Sequence, residues 1–256
     1  MIILLVLLPV SKLNSICRYL CFRIVNSRLA VLLGLAFISA CGVPLSESSR
    51  PQLQKTAREV ISEALSSPSV TTIHLDCPRV TDQDLLLLTN NEHITSILID
   101  GSGITEKGLS PLTSMENLVQ LRIRTRLTDA AIPFIIKMAR LQFLNLPQAD
   151  FTDVGIESLS SHPHIQLLRI GGKRLSNKSL ESIATMPSLS FLHLIGVPID
   201  DQGLPALYAL QQLQSLYLDD TDVTDEGLLK LLGKLPTLHL HINQTHIDRD
   251  PNKHEH

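Results

Sequence analysis

The 256-residue sequence has no tryptophan, and aromatic residues supply only 4% of it. A core built on large rings is therefore excluded. Four cysteines are too few for a disulfide scaffold. No uninterrupted apolar run reaches the ~20 residues that cross a bilayer, so a standard transmembrane helix is not indicated. A net charge of −3 argues against a protein that coats nucleic acid. What the chain does have is apolar content, 44%, with 18% charged residues, which excludes a disordered tail. Leucine alone supplies 48 residues, about twice ordinary usage. Few rings and many leucines predict a repetitive aliphatic core.

Residues 1–40 differ from the rest. They carry Lys12, Arg18, Arg23 and Arg28 and no acidic residue, whereas the remaining 216 residues hold 18 basic and 25 acidic side chains, a formal charge of −7. Two apolar runs, Met1 to Val10 and Leu29 to Ala40, suit the apolar region of a signal peptide. The second follows Arg28 and ends in Ile38-Ser39-Ala40-Cys41-Gly42. This resembles a bacterial lipobox, in which small residues fit the peptidase and the cysteine thiol takes a diacylglycerol. The resemblance implies a lipid-anchored envelope protein, with several alkyl chains on Cys41 for stable anchoring. Gly42 rather than Asp after the cysteine implies release toward the outer membrane. The other reading is a cleaved secretory signal in which Cys41 is incidental. Val25-Asn26-Ser27-Arg28 would open an ordinary short signal if Val25 were read from an alternative start codon, so residues 1–24 are hypothesised to be a start-site misassignment. Detection of a cellular peptide from Met1 to Ile24 would disprove it. Residues 41–50 read as a short polar tether.

An internal repeat occupies residues 70–248. One aliphatic position recurs at Ile73, Ile97, Leu121, Leu144, Leu168, Leu192, Leu216 and Leu240, in steps of 24 residues with a single step of 23. A second aliphatic follows two residues later in every copy. A polar pair follows further on: Thr81-Asp82, Thr105-Glu106, Thr128-Asp129, Thr152-Asp153, Ser176-Asn177, Asp200-Asp201 and Thr224-Asp225. This pattern resembles the leucine-rich repeat, with the frame L-x-x-L-x-L-x-x-T-x-I-T-D-x-G-L-x-x-L. The clearest copy runs from Leu213 through Leu216, Leu218, Thr221, Val223, Thr224, Asp225 and Gly227 to Leu231. The same variant is similar to repeats that follow an F-box in eukaryotic ubiquitin-ligase adaptors. With no F-box-sized domain ahead of the repeats, that role does not carry over.

The resemblance implies an α/β fold: a right-handed leucine-rich-repeat solenoid with about eight parallel strands on the concave face and short helices on the convex face. The physics agrees. Alternating aliphatics form a half-buried strand. Thr caps the following helix, and Asp suits its first turn. No unit can bury its leucines alone, so stacking closes one core. Residues 51–69 are expected to form an N-terminal cap helix, with an apolar stripe of Leu53, Ala57, Val60, Ile61, Ala64 and Leu65 and with Pro51 near its start. Only a polar tail, residues 249–256, follows the last repeat. That edge is expected to be thinly covered, which makes dimerisation there a hypothesis.

The strand residues between the buried aliphatics define a face: His74, Leu98, Arg122, Asn145, Arg169, His193, Tyr217 and His241. Flanking rows add Asp100, Arg124, Phe143, Phe191, Ser215, Asp219 and His239. The expected partner-binding residues are Arg122, Arg124, Phe143, Arg169, Phe191, His193 and Tyr217, because Arg and aromatic side chains most often anchor interfaces. Ten histidines, with His239 and His241 on one strand face, raise a metal hypothesis, but no recognised ligand spacing accompanies them. The favoured reading is solvated surface histidines, with no metal site. No nucleophile motif or Gly-rich phosphate loop appears, so no catalytic residue is assigned and no cofactor is expected. The expected function is a membrane-tethered, non-enzymatic module that binds a protein, or a glycan, through the concave face. A freely secreted interaction protein remains open, as does an envelope enzyme or metal-binding protein using the His-rich C-terminal strands.

Overall fold

A computed structural model describes residues 54–243 apart from 78, 101 and 102, together with the backbone of 245–246. The signal region, Cys41, the tether, Pro51, Leu53 and the polar tail lie outside the described residues.

Helix α1 (Ala57–Ser66) leads into nine strands that lie in one sheet in chain order. These are β1 (Thr72–Leu75), β2 (Ser96–Ile99), β3 (Gln120–Ile123), β4 (Phe143–Leu146), β5 (Leu167–Gly171), β6 (Phe191–Ile195), β7 (Ser215–Asp219), β8 (His239–Ile242) and β9 (Thr245–His246). The first eight pair in parallel. Register follows the repeat: Ile73, Ile97, Leu121, Leu144, Leu168, Leu192, Leu216 and Leu240 lie side by side across the sheet. All eight are buried, as are their partners two residues on, from Leu75 to Leu218. Each fully buried leucine contributes about 1.5–3 kcal/mol. Since each row touches the next, the core is continuous.

The strands return over short helices on the other side: α2 (Asp82–Leu85), α3 (Ile132–Lys137), α4 (Asp153–Leu159), α5 (Asn177–Ile183) and α6 (Asp225–Lys234). In two repeats the return is a tighter 3₁₀ segment, Glu106–Ser114 and Leu204–Ala209. Pro111 stands inside the first of these and lacks the N–H an α-helix would use there, whereas Pro205 stands in the first turn of the second, where that N–H has no helical partner.

The Thr-Asp pairs do more than cap helices. In six successive repeats the acidic residue, or the asparagine in its place, reaches forward to the next repeat. Asp129 accepts from the backbone N–H of Thr152 at 2.9 Å and from its hydroxyl at 2.5 Å. Asp82 does the same to Thr105, Asp153 to Ser176 and Asp201 to Thr224. Glu106 takes both bonds from Thr128 on one oxygen. Where Asp200 replaces the threonine, Asn177 replaces the acid. Its amide donates to the Asp200 carboxylate and its oxygen accepts from the Asp200 N–H, so no like charges meet.

The ends differ from the middle. α1 packs on β1, and a reciprocal cap opens the helix: the Thr56 N–H donates to Glu59, and the Glu59 N–H to the Thr56 hydroxyl. The C-terminal edge is better covered than the sequence suggests. Asn243 takes a left-handed conformation, φ 48°, and turns the chain so that β9 pairs antiparallel with the end of β8. The Asn243 side chain also accepts from the Asp220 N–H at 2.9 Å.

Candidate functional site

On the concave face each strand sets one polar or aromatic residue between two buried aliphatics, because side chains alternate across a strand. The central row, in register, is His74, Leu98, Arg122, Asn145, Arg169, His193, Tyr217 and His241. Neighbours along it are about 4.8 Å apart. The row divides into three chemical zones.

The first zone is an ion network centred on Asp100, at the end of β2. Its carboxylate accepts from His74 Nε2 at 2.7 Å and from Arg122 Nη2 at 2.5 Å. Arg124 Nε lies 3.3 Å from the other oxygen. Burial alone would push the Asp100 carboxyl up. The His74 hydrogen bond and the two arginines outweigh it and hold the group below its ordinary range. Beside this network Asp150 accepts from Arg126 at 2.7 Å and from Arg174 at 3.5 Å. Arg126, Asp150 and Arg174 occupy equivalent repeat positions, so the signs alternate across the stack.

The middle zone is the least satisfied. Arg122 Nε, Asn145 Oδ1 and Arg169 Nε are out of solvent and have no hydrogen-bond partner among the described residues. They sit on adjacent strands, β3, β4 and β5. Arg122 is still tied to Asp100 through its other nitrogen, whereas Arg169 makes no hydrogen bond or ion pair within the described residues. Burial first, then the charges of Arg124 and Arg122, push the Arg169 guanidinium below its ordinary value, with Asp219 opposing. A guanidinium remains charged even so.

The third zone is a ladder of rings. Tyr217 is stacked between Phe191 of β6, with centroids 5.0 Å apart, and His241 of β8, at 4.0 Å with planes only 9° apart. His193 leans on Tyr217 at 5.3 Å and bonds Asp219 at 2.8 Å. Burial lowers the His193 pKa, and Asp219 only partly opposes this. His239 Nε2 lies 2.7 Å from His241 Nε2, so one nitrogen donates and the other accepts. Burial pushes the Tyr217 hydroxyl above its ordinary value.

The structure therefore brings together Arg122, Arg124 and Arg169 as one group, and Phe191, His193 and Tyr217 as another. Phe143 joins neither ring contact, because Leu167 stands between it and Phe191 in the register. The histidines depart from the expected solvated surface. His193 and His241 are only 9% and 5% exposed, because neighbouring rings cover them. His162, on the helix side, is buried too and bonds the Met138 carbonyl at 3.1 Å. The ion hub at Asp100 goes beyond the sequence pattern, in which Asp100 is only one residue of a flanking row. The signal that could have found it is the 24-residue offset from Asp100 to Arg124, which puts opposite charges side by side. Among the described residues no three His, Cys, Asp or Glu side chains form a metal-ligand group.

No protein-family model and no curated protein matches the chain. Solved structures do. An internalin C2 from Listeria monocytogenes superposes with a TM-score of 0.52 at 18% identity, over 77% of this chain and 88% of that one. An internalin (inlF) from the same organism gives 0.46 at 22% identity, over 65% and 46%. The first likeness, with the eight parallel strands, establishes the leucine-rich-repeat solenoid fold.

Proposed function

We propose that the concave face binds a protein partner and that the chain is held at a bacterial envelope membrane by lipid on Cys41. The observation that carries the binding reading is Arg169: a half-buried guanidinium without a partner among the described residues, next to a ladder of aromatic rings. Arg and Tyr are the side chains that most often dominate interface energies. Solenoid curvature gives such a face a length of roughly 40 Å for one partner to follow. No nucleophile or metal-ligand set accompanies it among the described residues, and the proposed role is non-enzymatic. Anchoring rests on the run from Leu29 to Ala40 and the Ile38-Ser39-Ala40-Cys41 order.

The binding reading is tested in the producing cell with a photo-crosslinking phenylalanine at Tyr217 and, separately, at Val154. Val154 is 65% exposed on the convex helix α4 and serves as the comparison. The expected result is a protein adduct from position 217 and none from 154. Equal adducts from both, or adducts from 154 alone, would move the binding face elsewhere. Anchoring is tested by the intact mass of the detergent-extracted protein beside Cys41→Ala. A mature chain beginning at Cys41 with added acyl mass is expected, and an unacylated chain would leave the secreted alternative.

A further inference from the structure

The charges around the concave centre are not balanced. Arg122, Arg124, Arg126, Arg169 and Arg174 gather on β3, β5 and the loops after them, against the carboxylates of Asp100 and Asp150. Residues 41–256 as a whole carry a formal charge of −7, so this is a positive patch on a negative chain. Four of the five arginines are committed: Arg122 and Arg124 to Asp100, Arg126 and Arg174 to Asp150. Among the described residues Arg169 has no such commitment. It offers a planar fork of donors that a carboxylate matches with two parallel hydrogen bonds.

Its neighbours narrow the class of anion. Arg169 is half-buried on β5, with Leu167 two residues before it on the same face and His193 and Tyr217 on the next two strands. A cation with no commitment among the described residues, beside an apolar ledge, suits one negative charge next to an apolar group. A sulfated or uronic-acid glycan carries a dense row of charges, and the other arginines that could meet such a row are already paired. An acidic side chain on a protein, with an aromatic or aliphatic neighbour, fits both features. Tyr217 lies two strands from Arg169, about 10 Å away. A segment running across the strands would cover that distance in about three residues.

We infer that Arg169 is the anchor for a carboxylate side chain of an acidic protein partner, whose neighbouring apolar residue rests against the ring ladder at Tyr217. This rests on the protein-binding reading above and adds the chemistry of the partner.

The test uses the full chain in detergent at physiological salt, with labelled glutamate–tyrosine copolymer as the probe. Lysine–tyrosine copolymer, polygalacturonate and dextran sulfate are the comparisons. The glutamate–tyrosine copolymer is expected to bind, and Arg169→Gln to weaken that binding about ten-fold or more. Arg169→Lys, which keeps the charge and loses the fork, should fall between. The melting temperature of Arg169→Gln should be no lower than that of the wild type, since an unpaired half-buried charge is removed. Binding by Arg169→Gln within two-fold of the wild type would overturn the assignment. Equal binding of polygalacturonate or dextran sulfate would overturn it in favour of a polyanion site. If the copolymer fails while Tyr217 still crosslinks to a protein, the carboxylate chemistry is wrong and the interaction reading stands. If both fail, both fall.

Discussion

At Gly155 a single methyl group decides how two repeats meet. A Cβ there would collide with the Asp129 carboxylate, the group that accepts both bonds from Thr152. Gly108, Gly203 and Gly227 face Asp82, Asn177 and Asp201 in the same way. The glycine of the T-D-x-G frame is therefore room for the preceding repeat's acid. The frame is not uniform: Ala131 and Ser179 stand where the glycine would, and the acids before them, Glu106 and Asp153, still take both bonds from Thr128 and Ser176. In the first repeat the equivalent residue is Asp84, and with no earlier acid to admit it turns back and accepts from the Thr81 N–H and hydroxyl. Gly155→Ala is expected to destabilise by about 1–3 kcal/mol, the cost of buried polar groups losing partners. Helix propensity alone argues the other way, since alanine is favoured over glycine by about 0.5–1 kcal/mol. Gly233→Ala, in α6 with nothing within 4 Å of its Cβ, isolates that opposite effect and should stabilise by about that amount. Paired denaturant titrations measure both. A stabilised Gly155→Ala would show that the Asp–Thr links are dispensable.

The secondary-structure elements were legible wherever one periodicity controlled them. The strand rows follow from aliphatics two residues apart and a repeat length that hardly varies. The helix after each polar pair follows from capping chemistry. Three things were not legible, one because it depends on contacts between repeats and two because local backbone geometry decides them. The acidic residues were read as dipole partners of their own helices, whereas their bonds go to the next repeat. The 3₁₀ return at Pro111 needed the position of that proline inside the segment, which the frame leaves open. The β9 hairpin depends on the left-handed Asn243. For the candidate site, the order of residues along the concave row was readable and their partners were not. Arg122, Arg124 and Arg169 look alike in sequence. Only cross-strand geometry separates the two that serve Asp100 from the one that does not. His193 and His241 look like surface residues, but the Tyr217 ring lies directly across the register from both and covers them.

Across the whole molecule, stability is close to a sum of nearest-neighbour terms, since each repeat touches only the repeats beside it. A central repeat then carries the connection between the two ends. β5 joins β1–β4 to β6–β8, and its Leu168 lies in the aliphatic row between Leu144 and Leu192 with no exposure. An aspartate at that position would be an unpaired charge in a dry core, which costs several kcal/mol even after relaxation. The entire stability of such a domain is about 5–15 kcal/mol. Leu168→Asp is therefore expected to abolish the single cooperative thermal transition rather than to shift it by a few degrees. Arg169 is the next residue, and its side chain lies on the opposite face because strand side chains alternate. Arg169→Gln should keep the transition intact. Two adjacent substitutions with opposite outcomes, followed by circular dichroism on heating, thus test register as well as fold. If Leu168→Asp melted near the wild-type temperature while Arg169→Gln unfolded, the strand would be paired one residue out of step, because a one-residue slip exchanges its two faces.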